Sequence, residues 1–440
     1  MTKKYLLIIL ALSLLTRFVF FSHPAETVFD EVHFGKFVSG YFTGEYFFDI
    51  HPPLGKLLIA GMAKISGFQS GFSFEDIGQK FPDDSYKWLR FLPKLAGALL
   101  PAIIFLIAVE LGISQKFAFL AGLLLIFENS LLAQSRFILI DAFLLLFGFL
   151  GILFYLKYQK SISFKRSFIT NSNKKYLFLA GLFSSLALSV KWTGLSFLAV
   201  ILFFYFISWF KSAGKIKSAV NSLLFLIITP FLVYFSIFAV HFSLLNKPGP
   251  GFAFHPPNFQ QMNIFEKFVG LNLELYRSNT RLGASHPYTS QWFQWPFMNK
   301  PIYYWNDSTS SSQVSSKIYF LGNPLIYWLT TIAVIYFVIN FRKFKNSPRF
   351  LLITSYFLNW LPFIFIGRVM FLYHYMTALV FAILILAYSL DKSKIGNKKI
   401  VFNTILTGSI ILFLFFSPLT YGLTIPEWYY KLTVWLPEWR

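Results

Sequence analysis

A chain in which runs of about 20 apolar residues recur has few ways to fold, because each run is long enough to cross a bilayer as a helix and too apolar to leave in water. We read eleven such runs here, at approximately 5–22, 91–110, 117–134, 137–156, 176–190, 194–210, 219–242, 324–341, 349–366, 369–389 and 400–422. The expected class is an all-α integral membrane protein, a single multispanning domain over 1–440 with no internal repeat and no separate soluble unit. Glu128 and Asn129 interrupt the third run, and the fifth is short before Lys191. Lys3 and Lys4 ahead of the first run would also suit a signal peptide, but no small-x-small cleavage site follows, so an uncleaved helix is expected.

The formal net charge of +21 would suggest a nucleic-acid partner in a soluble chain. The placement of the charges argues otherwise. With the N-terminus inside, six successive inside segments carry twenty Lys and Arg, from Lys3 to Lys399, with only Glu110 and Asp391 as nearby acids. This is the pattern that orients membrane proteins, so the N-terminus is expected to be cytoplasmic and no nucleic acid is expected. There is no cysteine, which excludes disulfides, thiolate metal sites and cysteine nucleophiles.

Two long segments, 23–90 and 243–323, and the tail after Gly422 fall on the other side, and chemistry is expected there. Within the first outer loop, Leu54 to Ile65 is amphipathic and suits a helix lying along the interface. The second, rich in Pro, Asn, Ser, Trp and Tyr, reads as a compact outer loop.

The first outer loop opens with Asp30-Glu31 and continues to Asp49-Ile50-His51-Pro52-Pro53. Adjacent carboxylates beside a bilayer can supply a general base, since partial desolvation raises a carboxyl pKa. Equally, Asp30 could cap a short helix and Glu31 complement its dipole. The two prolines make a rigid turn able to present Asp49 or His51. Charges in or beside spans are costly and functional by default, and Arg17, Arg90, Lys94, Glu128, Arg136, Asp141, Lys191, Arg368 and His374 all belong to this group. Most fall at the outer ends of spans, which suggests one cavity in which cations hold an anionic lipid head group. Arg136 and Asp141 are five residues apart and do not share a helix face, so their partners should lie elsewhere. His286 to Pro296 and Tyr303-Tyr304-Trp305 mix aromatics with hydrogen-bonding groups, as a sugar or peptide site would, or as an interfacial aromatic belt would. The seven histidines are dispersed, so no metal site and no cofactor is called for; carboxylates could hold a divalent cation, but nothing requires one.

Five segments in order carry a resemblance: FDEVHFGKF with FFDIHPPLGKLL, SRFILIDA, Lys191-Trp192-Thr193-Gly194, HPYTSQWFQWP and RVMFLYHYMTAL. Together they resemble the protein O-mannosyltransferase family, in its short bacterial form without the β-trefoil insertion of the second outer loop. The resemblance implies a C-type glycosyltransferase fold of about eleven spans with two large outer loops. It implies inverting transfer of mannose from polyprenyl-phosphate mannose to Ser or Thr of secreted or membrane proteins, met near the secretion machinery, at the outer face of the plasma membrane. Asp30 is implied as catalytic base and Glu31 as its paired acid, contacting acceptor or sugar. His51, Arg136, Lys191, Arg368 and His374 are implied at the donor site, and Asp49, Asp141 and His286 join them as candidate substrate-binding residues from the placement of charges and aromatics above. Two other readings stay open: transfer of another lipid-linked sugar to a lipid or glycan by the same fold, and a lipid-linked sugar transporter.

Overall fold

The structure, a computed structural model, describes residues 2–165, 171–211, 216–281, 283, 286–307, 313–340, 348–394 and 396–439. In chain order the helices are α1 (Thr2–Phe18), α2 (Glu31–Thr43), α3 (Leu54–Ile65), α4 (Tyr86–Glu110), α5 (Gln115–Ile126), α6 (Asn129–Ser135), α7 (Asp141–Lys165), α8 (Asn171–Val190) and α9 (Leu195–Lys211). They continue as α10 (Ile216–Leu223), α11 (Thr229–Leu244), α12 (Ile264–Arg281), α13 (Pro324–Ile339), α14 (Pro348–Leu358), α15 (Met376–Lys392), α16 (Lys398–Tyr421) and α17 (Glu427–Thr433). Short strands β1 (Ile302–Asn306) and β3 (Lys317–Phe320) pair antiparallel, as do β2 (Val314–Ser315) and β4 (Ile425–Pro426).

Six helical segments among the described residues are long and apolar enough to cross a membrane, or seven if α5 and α6, bent by 59°, count as one. The bend falls where Glu128 interrupts the third apolar run. Its carboxylate accepts from the Leu131 N–H at 2.7 Å and so caps a new helix instead of continuing the old one. The remaining apolar runs coincide with α1, α8, α13 and α14. The expected run 349–366 ends early, because α14 stops at Leu358 and a 3-10 turn, Leu361–Phe365, contains Pro362, which cannot donate to a helix.

Helices α7 and α15 form the centre and are apolar on every side, as buried helices are. From Met376 to Leu386 no residue of α15 is more than 8% exposed. By contrast α9, α11, α13 and α16 leave one face apolar and bare, with Phe206, Phe231, Ile335 and Leu414 all exposed. Those faces meet lipid. The two ends of the bundle differ in chemistry. At one end Lys160 pairs with Glu110 at 3.0 Å, and Lys392 reaches the Gly112 carbonyl at 2.8 Å, so three of the basic connections lie together. Of the twenty basic residues, Arg166, Lys215, Arg342, Lys343 and Lys345 lie outside the described residues.

At the other end the two outer segments pack together over the bundle. α3 has the bounds of the amphipathic stretch and buries Leu54, Ile59 and Ala63. Residues 264–281, read as loop, form the 18-residue helix α12 instead, which buries Phe268, Leu271 and Leu275 against α11. Asn279 at its C-terminal end donates to the Ile50 carbonyl at 3.1 Å, tying α12 to the turn that carries His51.

Candidate active site

A cavity of about 1020 Å³ opens between these outer segments and the ends of α7, α9 and α15. Its polar wall includes Asp30, Asp49, His51, Asp141, Lys191, Arg368 and His374, and His286 stands at its edge. Its other wall is apolar, including Leu144, Leu145, Leu195, Ala199, Ile366 and Met376. Leu195 is 52% exposed, so this apolar trench reaches the surface of the bundle at the start of α9.

Asp30 is delivered by a strained turn. It occupies the N-cap position of α2, but its side chain makes no capping bond. The preceding Phe29 has φ of 49°, a left-handed conformation that costs energy for an aromatic residue. Strand β1 holds it there: the Phe29 N–H donates to the Tyr304 carbonyl at 3.0 Å, and the two rings stack with centroids 4.1 Å apart. The carboxyl is surrounded by protein yet open to the cavity. Burial pushes its pKa up to about 7, Lys191 pulls it down, and the charges of Asp141 and Asp49 push it up further.

The other carboxylates are spoken for. Asp49 pairs with Lys56, which is buried and also donates to the carbonyls of His51 at 2.8 Å and Pro52 at 3.2 Å, so one ammonium knits the whole His-Pro-Pro turn. Asp141 accepts from Lys191 at 2.7 Å and from Gln134 at 2.9 Å. Lys191 reaches it because the 3-10 turn Trp192–Gly194 folds back on α8, where a Cβ on Gly194 would lie 2.3 Å from the Ala187 backbone. Among the described residues no ion pair involves Asp30 or Arg368. Among the described residues the cavity therefore offers an unpaired carboxyl, Asp30, and two guanidiniums without an ion pair, the half-buried Arg368 in the segment 366–374 and the exposed Arg281 at the end of α12. Burial, then the charges of Lys191, Lys56, Arg368 and His374, hold the His51 imidazole well below its usual pKa, and so neutral. The His374 ring packs parallel to Trp295, centroids 5.8 Å apart, and His286 sits edge-on to Phe371 at 4.9 Å.

Two of the expected residues lie outside the cavity. Glu31 does not line the cavity. Each of its oxygens takes two bonds, from Arg90 Nε at 2.7 Å and the Ile138 N–H at 2.8 Å, and from Arg90 Nη2 at 2.6 Å and the Val28 N–H at 2.8 Å. It is fully buried and pins α2, α4 and the α6–α7 connection, with no oxygen left for acceptor or sugar. Arg136 is also fully buried and outside the cavity. Its guanidinium donates to the carbonyls of Thr420 at 3.0 Å, Phe20 at 2.9 Å and His23 at 3.1 Å, so it clasps the segment that follows α1 to the C-terminal end of α16. Sequence reasoning missed His33, Asn279, Arg281 and Asn359, which also border the cavity. Of these only His33 carried a signal, three residues beyond Asp30 on the same helix. Among the described residues no three His, Asp or Glu side chains could share a metal ion.

Solved structures share this architecture. The Saccharomyces cerevisiae protein O-mannosyltransferase Pmt1–Pmt2 complex bound to the sugar donor superposes with a TM-score of 0.90 at 20% identity, over 100% of this chain and 92% of that one. ArnT from Cupriavidus metallidurans bound to undecaprenyl phosphate gives 0.57 at 11%, over 95% and 77%. Fold and cavity thus define a membrane protein of the C-type glycosyltransferase architecture. Two family models match, dolichyl-phosphate-mannose-protein mannosyltransferase over residues 7–246 and the C-terminal four-span region of protein-O-mannosyltransferase over 264–439. The chain belongs to the dolichyl-phosphate-mannose-protein mannosyltransferase family. It is 36% identical over 248 residues to dolichyl-phosphate-mannose--protein mannosyltransferase 1 of Saccharomyces cerevisiae, covering 54% of this chain and 30% of that protein. It is 33% identical over 276 residues to protein O-mannosyl-transferase 2 of Danio rerio, covering 61% and 35%. The matches span about a third of the length of these curated relatives.

Proposed function

We propose that the protein transfers mannose from a polyprenyl-phosphate mannose to the hydroxyl of Ser or Thr in an acceptor polypeptide, with inversion at the anomeric carbon. The observation that carries this reading is the pairing of opposites in one cavity: an unpaired carboxyl with its pKa near 7 at one side, an unpaired guanidinium at another, and an apolar trench that reaches the surface of the bundle. An amphiphile with an anionic head and a prenyl tail suits such a cavity. Arg368 and Lys191 then face the phosphate, and His51, His374 and Asp141 border the sugar. Asp49 holds Lys56 and thereby the turn beneath the donor.

The acceptor hydroxyl gives its proton to the Asp30 carboxylate as its oxygen bonds to the anomeric carbon. The bond from that carbon to the phosphate oxygen breaks, and the electron pair departs on the lipid phosphate. Cationic donors stabilise the departing oxygens, so no strong general acid is required. The excess of Lys and Arg at the opposite end of the bundle supports an outward-facing site on a cell membrane with a cytoplasmic N-terminus.

The test is an in vitro assay of the purified protein with radiolabelled polyprenyl-phosphate sugars and both peptide and lipid acceptors, the modified residue being located by mass spectrometry. Labelled Ser or Thr from the mannose donor is the expected result. Label only in lipid or glycan would overturn the acceptor assignment, and donor translocation without transfer would overturn the enzyme reading.

A further inference from the structure

Gln134 does not border the cavity, yet it joins the two charged halves of it. Its side chain is buried at 3% exposure, between Asp141 at 4% and Tyr304 at 0%. Asp141 is an acceptor-only group, which dictates that the amide nitrogen faces it, donating to Oδ2 at 2.9 Å. The amide oxygen is left to accept from the Tyr304 hydroxyl. Beyond Asp141, its other oxygen accepts from the Lys191 ammonium at 2.7 Å. Beyond Tyr304, that residue's carbonyl and ring hold Phe29 in its left-handed conformation, and Phe29 precedes Asp30. An unbroken line of contacts therefore runs from Lys191 through Asp141, Gln134, Tyr304 and Phe29 to Asp30. Only a group that donates at one end and accepts at the other can fill its centre. A carboxylate there would accept twice and repel Asp141, and an apolar side chain would strand two buried polar groups.

We propose that Gln134 is a positioning residue that sets the ammonium meeting the donor phosphate and the turn presenting the base in one fixed relation. The inference rests on the transfer reading above. No bond is made or broken at Gln134; it acts through Asp141 and Tyr304, and its loss misplaces reacting groups that are themselves intact.

The experiment compares Gln134→Met, Gln134→Glu and Tyr304→Phe in the full-length protein, using polyprenyl-phosphate mannose and a Ser/Thr peptide over a range of pH. Gln134→Met keeps the volume and removes both bonds; kcat is expected to fall by about 10- to 100-fold, the cost of a small misplacement, and the donor KM to rise. Tyr304→Phe severs only the side toward Asp30, so kcat should fall with the donor KM unchanged. Gln134→Glu reproduces the native pattern of one donor and one acceptor only while its carboxyl is protonated. Its activity should therefore decline with rising pH where the wild type climbs, a signature that a purely packing role would not produce. Wild-type kcat in Gln134→Met, or pH profiles of matching shape in Gln134→Met and Gln134→Glu, would overturn the proposal. Should Gln134→Met fail to fold, Tyr304→Phe decides by its kcat: a wild-type value sinks the line of contacts. An absence of transfer by the wild type itself would instead count against the proposed function, so the two failures are distinguishable.

Discussion

Replacing Asp30 by Asn should abolish transfer and at the same time stabilise the protein, increasingly so as pH rises. The Asp30 carboxyl has a pKa of about 7 in the folded protein against 3.8 for an unperturbed aspartate, because burial disfavours its charge. In the unfolded chain it loses its proton near pH 4, and in the folded chain near pH 7. Between those values unfolding releases a proton, so this group's contribution lowers stability progressively from about pH 4 to pH 7 and then levels off. At about 1.4 kcal/mol per pKa unit, the roughly three-unit shift sets a ceiling near 4 kcal/mol. Because the carboxyl opens on a cavity that water can enter, screening reduces this to about 1–2 kcal/mol. The neutral amide of the Asp30→Asn variant carries no such penalty. For a chain of this length that is an apparent Tm increase of about 1–2 °C, nearly full at pH 8 and reduced to about a quarter at pH 4.5. Thermal unfolding of both proteins in one detergent, at one scan rate and at those two pH values, measures it. Transfer should fall by about 10²- to 10⁴-fold, the worth of a general base, with the donor KM unchanged. A Tm difference that is the same at both pH values would refute the electrostatic reasoning, and wild-type turnover would refute the base.

The neighbouring residue should respond with the opposite sign: Glu31→Gln leaves the buried Arg90 charge uncompensated and should destabilise by about 3–5 kcal/mol, read as a fall in apparent Tm and in folded yield. Arg136→Leu strands the carbonyls at the ends of α1 and α16 and should lower Tm, while protein that still folds keeps its donor KM. Arg368→Ala should raise the donor KM and leave the acceptor KM unchanged, as kinetics with each substrate varied in turn would reveal. Wild-type kcat/KM for the acceptor should rise with pH through about 7 as Asp30 ionises, and a flat profile from pH 5.5 to 8 would contradict its role as base.

Much of this site was legible because its chemistry is expensive. Lys191, Asp141 and Arg368 are charges where an apolar chain can ill afford them, and each borders the cavity. The same rule also points to Arg136, because a buried charge held for structure costs as much as one held for catalysis. Nothing local in Asp30-Glu31 says which carboxyl will face a substrate. That is decided by Arg90, 59 residues away from Glu31, and by the Tyr304 ring lying under Phe29. Helix α12, an 18-residue amphipathic stretch, is masked in the sequence by the proline-rich segment before it; its partner face on α11 becomes visible only once the two are packed.

The sequence by itself determined the solvent of this protein, the approximate course of its apolar helices and the chemical asymmetry of its two ends. These follow from local quantities, the apolar content of about 20 consecutive residues and the sign of the charges between them. Only the tertiary structure decided which of the many costly polar groups would satisfy one another and which would be left over. Pairing is a property of distance in three dimensions, and it removed Glu31, Arg136 and Asp49 from the list of free charges. It left Asp30 and Arg368 exposed to a shared cavity, where an unmet carboxyl and an unmet guanidinium can meet a substrate in place of each other.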